Sequence, residues 1–125
     1  MAANKQEIFG PIALSATLTT NLIAPAAAGA GAVGYTTTAD VLYLKHIRVA
    51  NKTAAAHNFT LYKGATGANA AGTELAVAKN VPANDFVDMF FNPALRLEGA
   101  NGFMVGGADA VTSLVLTADG EVGKV

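Results

Sequence analysis

Cysteine and tryptophan are both absent from these 125 residues. Without cysteine there are no disulfide staples, no thiolate metal sites and no cysteine nucleophile, and nothing is indicated about redox compartment. Without tryptophan, a sugar-stacking surface would have to be built from other aromatics such as Tyr35, Tyr43 and Tyr62. Charge is scarce too. Asp, Glu, Lys and Arg make up 14% of the chain and the formal net charge is −1, so no basic stripe exists to draw phosphate. Nucleic-acid binding is left without electrostatic support. No run approaches the roughly 18 apolar residues of a membrane-spanning helix. Lys5 and Glu7 interrupt the apolar core that a secretory leader needs, so no classical export signal is expected.

The residues that are present argue for strands. A chain of this length is expected to form one domain and to bury roughly two thirds of its unfolded surface. The 52% hydrophobic content is rich in alanine, which buries little area, so the core must come from Phe, Leu, Ile, Val and Met. Leu44 to Gly64, LKHIRVANKTAAAHNFTLYKG, carries the clearest pattern. Ile47 and Val49 alternate with His46 and Arg48, and Phe59 and Leu61 alternate with Asn58 and Thr60, the period of two of a half-buried strand. This predicts a hairpin, two strands joined by a small polar turn.

One strand or a pair of short ones is expected over 12–23, and further strands over 41–50, 57–63, 75–78, 86–91, 95–97, 103–105 and 111–117, with apolar positions on both faces of 86–91. Turns are expected at Asn80–Asp85, where Pro82 fixes φ and Asn and Asp bond their own backbone. Others fall at Glu98–Gly102, at Gly106-Gly107 and in the tail at Asp119-Gly120-Glu121. Ala24–Gly34 and Gly64–Gly72 are small-residue loops. Regular short strands punctuated by Gly, Pro and Asn predict an all-β fold, a single antiparallel β-sandwich or jelly roll. Residues 1–11, broken off by Gly10-Pro11, are expected to form an extended N-terminal arm, and residues 12–125 the sandwich domain. Ile8, Phe9 and Pro11 are the arm's candidate contact residues.

Patterns suggestive of chemistry fail on context. Gly29-Ala30-Gly31-Ala32-Val33-Gly34 spells G-x-G-x-x-G, but the dinucleotide mechanism needs a helix to follow and an acid about 20 residues on. Here strand-favouring Tyr35–Thr38 follows, and Asp40 comes too soon. His46 and His57, the only histidines, are expected on adjacent strands with no third ligand nearby. Asp85 and Asp88, three apart on a strand, point to opposite faces and do not converge on one bond. Asp119-Gly120-Glu121 lacks the spaced oxygen ligands of a calcium loop. Ser15 and Ser113 fall within expected strands, with no G-x-S-x-G elbow. Asn51-Lys52-Thr53 and Asn58-Phe59-Thr60 match glycosylation sequons and are expected to serve only as hydrophilic turn and strand residues. The sequence therefore predicts no enzyme, no catalytic residue, no metal and no cofactor.

The ordered set LKHIRVANKT…HNFTLYKG, NVPANDFVDMFF, LRLEGANGFMV and VTSLVLTADGEV, covering residues 40 to 118 and beyond, resembles small all-β structural proteins of tailed bacteriophages. The resemblance implies a virion component assembled in the host cytoplasm. It would be a capsid decoration (cement) protein on the outer shell, or a tail-, baseplate- or fibre-associated protein. It further implies the major capsid protein or other virion proteins as partners, and a homo-oligomer, with a trimer favoured. Neither nucleic acid nor membrane is an expected partner. A carbohydrate-binding β-sandwich module is the alternative from outside the virion class.

Overall fold

The computed structural model describes residues 5–25, 33–35, 40–65, 67–98 and 101–124. Nine strands form among them: β1 (Lys5–Ala13), β2 (Asn21–Pro25), β3 (Val33–Tyr35), β4 (Asp40–Asn51), β5 (His57–Gly64), β6 (Glu74–Val81), β7 (Asp85–Leu97), β8 (Phe103–Ala108) and β9 (Leu114–Lys124). They make two sheets, one ordered β1-β9-β4-β7 and the other β3-β2-β8-β5-β6. The antiparallel pairs are nested: β1 with β9, β2 with β8, β4 with β7 and β5 with β6. A chain doubled back on itself and then rolled into two sheets gives this nesting, which is the jelly-roll solution of the expected all-β sandwich. The short β3 adds to β2 in parallel.

The core is the seam between the sheets. Leu42, Leu44, Ile47 and Val49 of β4 and Leu114 and Leu116 of β9 meet Phe59 and Leu61 of β5 and Met104 of β8, all fully buried. Each such side chain contributes about 1.5–3 kcal/mol relative to exposure.

The Leu44–Gly64 segment is not a hairpin. β4 lies in one sheet and β5 in the other, and the chain between them crosses the sandwich. The reason is Asn51, 2% exposed. Its amide Nδ2 donates to the carbonyls of Ala55 (2.8 Å), Val81 (3.1 Å) and Pro82 (3.2 Å). Its Oδ1 accepts from the Thr53 N–H (2.8 Å) and the Thr53 hydroxyl (2.7 Å). The Asn84 N–H also donates to the Thr53 carbonyl at 3.1 Å. One buried side chain thus ties the β4–β5 corner to the β6–β7 corner, both of which change sheets.

The N-terminal segment differs from the expected arm. From Lys5 it runs as strand β1 along the edge of the first sheet, paired to β9, so the expected boundary at residue 11 falls inside a strand. Met1–Asn4 lie outside the described residues. Gly10-Pro11 is a bulge within β1: the register shifts between Phe9 and Ile12, and Gly10 sits at φ +102, where a Cβ would meet the Leu116 carbonyl at 2.8 Å. The span 12–23, expected as one strand or a pair of short ones, holds the end of β1, a connection over residues 14–20, and the start of β2. The expected strands 86–91 and 95–97 are one strand, β7, with a bulge opposite Lys45.

Gly106-Gly107 and Asp119-Gly120-Glu121 are strand interior, in β8 and β9, not turns. At Gly107 a Cβ would lie 2.6 Å from the Ser15 carbonyl oxygen and 2.8 Å from that of Thr17. Residues 14–20 lie that close because they cover the outer face of the second sheet. Leu18 packs there on Tyr62, Phe103 and Val105. The Ala108 and Gly106 N–H groups donate to the Ser15 and Thr20 carbonyls at 2.8 and 2.9 Å.

Candidate docking face

The two outer faces are finished differently. The second sheet is covered in part by its own chain, as just described. On the first sheet the core-facing residues alternate with an outward set drawn from all four strands. Register places these in rows. Ile8 opposes Asp119, Asp119 opposes His46, and His46 opposes Phe90. One row along, Thr117 opposes Arg48 and Arg48 opposes Asp88. In the next, Ala13 opposes Val115, Val115 opposes Ala50, and Ala50 opposes Phe86.

Three large apolar side chains are exposed here: Ile8 at 78%, Phe90 at 75% and Phe86 at 47%. Phe86 and Phe90 share β7 at one edge of the sheet and Ile8 lies on β1 at the other, with Asp119 and His46 in the row between them. Each ring carries a polar neighbour. The Arg48 guanidinium lies 4.1 Å from the Phe86 centroid, and the His46 ring stacks on Phe90 at 4.7 Å.

The charges are largely matched within the face. Arg48 grips Asp88 with two bonds, Nε to Oδ1 at 2.8 Å and Nη2 to Oδ2 at 3.0 Å. His46 Nε2 lies 2.8 Å from Asp88 Oδ1, and its Nδ1 lies 3.4 Å from Asp119 Oδ1. Only the imidazolium can donate from both nitrogens. The Arg48 hydrogen bonds, then those from His46, hold the Asp88 carboxyl down at about 2. The same pairing raises Arg48.

Two depressions lie end to end above β9. One, of about 480 Å³, is bounded by Ile8, His46, Arg48, Thr117 and Asp119. The other, of about 390 Å³, is bounded by Pro11, Ala13, Ala50, Lys52 and Val115. Of the expected contact residues, Ile8 and Pro11 both border this face, while the side chain of Phe9 lies outside the described residues. His46, Arg48, Asp88, Asp119, Phe86 and Phe90 were not anticipated as a set. They come from three strands, so no local spacing unites them, and the one trace was the apolar residues on both faces of 86–91.

The other candidates disperse. His46 and His57 lie in different sheets; His57 Nδ1 pairs instead with Asp109 at 2.9 Å. Among the described residues no three His, Cys, Asp or Glu side chains are grouped to hold a metal ion. Asp85 bonds the Phe86 N–H at 2.7 Å, and Asp88 belongs to the Arg48 pair. Ser15 and Ser113 sit in connections, not strands, with their hydroxyls bonded to Thr20 (2.7 Å) and the Ala110 carbonyl (2.7 Å). The G-x-G-x-x-G stretch lies mostly outside the described residues, and Val33-Gly34 at its end belongs to β3. Tyr43 and Tyr62 are on different sheets and Tyr62 is buried, so they form no common sugar platform. Comparison of the chain with protein-family models, with characterised proteins and with solved structures finds no match.

Proposed function

We propose that this chain is a structural, non-catalytic component of a tailed-phage virion, a decoration protein that binds the outer shell through the exposed face of the β1-β9-β4-β7 sheet and stabilises it. The observation that carries the proposal is the unequal finish of the two faces. One is capped in part by the chain itself, with Val77 of β6 left exposed; the other presents Ile8, Phe86 and Phe90 around a paired Arg48, Asp88 and His46. Paired charges lower the desolvation cost of covering such a face, and the exposed apolar groups reward it. Support also comes from the sequence resemblance and from the jelly-roll order, an architecture used in capsid and lectin domains.

The test uses particles produced from the genome that encodes the chain. Quantitative mass spectrometry of purified particles should find the chain in a fixed ratio to the major shell subunit. Purified chain should rebind, saturably, to shells stripped of it and raise their melting temperature. Absence from the particles overturns the proposal. Co-purification with tails in place of shells transfers it to a tail or baseplate component.

A further inference from the structure

We infer that the two depressions above β9 form one groove that accepts an extended segment of a partner polypeptide, with a basic side chain at the Asp119 end, an acidic one at the Lys52 end and a small apolar one between. The inference deepens the proposal that this face docks, by naming what lies in it.

The groove's width selects an extended chain. Its floor is β9, and its walls stand on β1 (Ile8, Pro11) and β4 (His46, Arg48), the strands on either side. Two interstrand spacings separate those walls by about 10 Å. A helix is about 10–12 Å across with its side chains and would ride on the walls. An extended strand fits between them.

Its length and chemistry select the side chains. Val115, Thr117 and Asp119 point outward at every second position of β9. Four residues of strand span about 13 Å. An extended segment lying along β9 has the same period of two, so its residues i, i+2 and i+4 fall over Asp119, Thr117 and Val115. The Val115 end has an apolar floor with Ala13 and Ala50, and Lys52 at its rim. Lys52 is exposed and has no partner among the described residues. At the far end the Asp119 side chain is 53% exposed, and among the described residues its side-chain contact, to His46, is long at 3.4 Å. Arg48, by contrast, is occupied by Asp88. Among the described residues the groove therefore has an open cation and an open anion at opposite ends. Lys52 follows Asn51, whose register partner Leu114 lies past Val115, so a segment with its basic residue over Asp119 places an apolar residue over Val115 at i+4 and its acidic residue toward Lys52 at i+6. Either chain direction serves, because the charges and not the backbone set the order.

The experiment is an NMR titration of the ¹⁵N-labelled full chain with a capped peptide, Lys-Thr-Thr-Thr-Val-Thr-Glu, to millimolar concentration. Saturable shifts are expected at Ala13, Ala50, Val115, Thr117 and Asp119, and none at the opposite sheet. A Lys-Thr-Thr-Thr-Val-Thr-Lys peptide should bind roughly two- to fivefold more weakly, the range of an exposed ion pair. Lys52→Glu should reverse that preference while leaving the amide spectrum otherwise intact. Absence of saturable shifts, shifts centred elsewhere, or indifference to peptide charge and to Lys52→Glu each overturns the inference. No shells enter the titration, so stoichiometric shell binding without peptide selectivity ends the groove inference and leaves the decoration proposal standing.

Discussion

Asn51 occupies a position where a polar side chain is strongly stabilising. Buried amides are tolerated only when their hydrogen bonds are made, and here both ends of the amide are engaged with backbone of two different corners. Asn51→Ala strands the Val81 and Pro82 carbonyls and the Thr53 N–H, and is expected to cost about 2–4 kcal/mol, since each buried group left unpaired costs about 1–3 kcal/mol. Urea unfolding measures it. A loss under about 0.5 kcal/mol, the level of a surface change, would mean that water replaces the side chain there. Asp88 supplies a second residue-scale prediction. Its folded-state value near 2 lies below the ordinary 3.8, so its ion pair stabilises fully above the ordinary value. That stabilisation is lost as pH falls through about 4 to 2. Urea midpoints across this window should drop more steeply for the wild-type chain than for Asp88→Asn. Parallel curves would show that the Arg48 pair adds nothing in solution.

The strands themselves were legible in alternation and punctuation, because period two follows directly from which face is wet. Which strands pair was not legible. The 44–64 segment has the pattern of a hairpin, and a short polar connection is compatible with either a hairpin or a sheet-crossing corner. What decides is Asn51's reach to Val81 and Pro82, thirty residues away and invisible to local spacing. Glycine misled for a related reason. Gly106-Gly107 reads as a turn in sequence, yet Gly107 is glycine because residues 14–20 lie on it. Gly107→Val must lift that cover, exposing Tyr62, Phe103 and Val105. The expected outcome is faster amide exchange in residues 14–20 together with a lowered melting temperature. Unchanged protection there would show that the close approach is not maintained. The candidate docking face was legible only at Ile8 and Pro11 and in the apolar positions on both faces of 86–91, since its rows run across strands that are far apart in sequence.

At the scale of the whole molecule, edges and faces play different parts. β1 bulges at Gly10-Pro11, β7 bulges opposite Lys45 and carries Pro93, and β6 is interrupted at Ala78, which has φ +41. Bulges and proline blunt these three edges against added strands, which favours a face for the proposed docking. The exposed face is small. Four strands by about five residues cover roughly 20 × 16 Å, on the order of 300 Å². That is well short of the roughly 800 Å² per partner of a stable interface. Under the proposed shell binding a single copy would therefore dock weakly, and firm attachment would require several copies bound together, which is where the expected homo-oligomer would enter. The consequence is a steep response to mutation. Ile8 is 78% exposed in the free chain, so Ile8→Asp should change neither the fold nor its melting temperature. Removing one central apolar contact costs above about 1 kcal/mol, roughly fivefold in affinity. In a trimer every copy loses that contact, and the loss compounds to on the order of a hundredfold in apparent shell affinity. Saturation binding to stripped shells reads the number directly. A hundredfold loss with an unchanged sedimentation coefficient supports multivalent docking through this face. A loss of only about fivefold means that copies dock singly, and no loss places the contact on another surface.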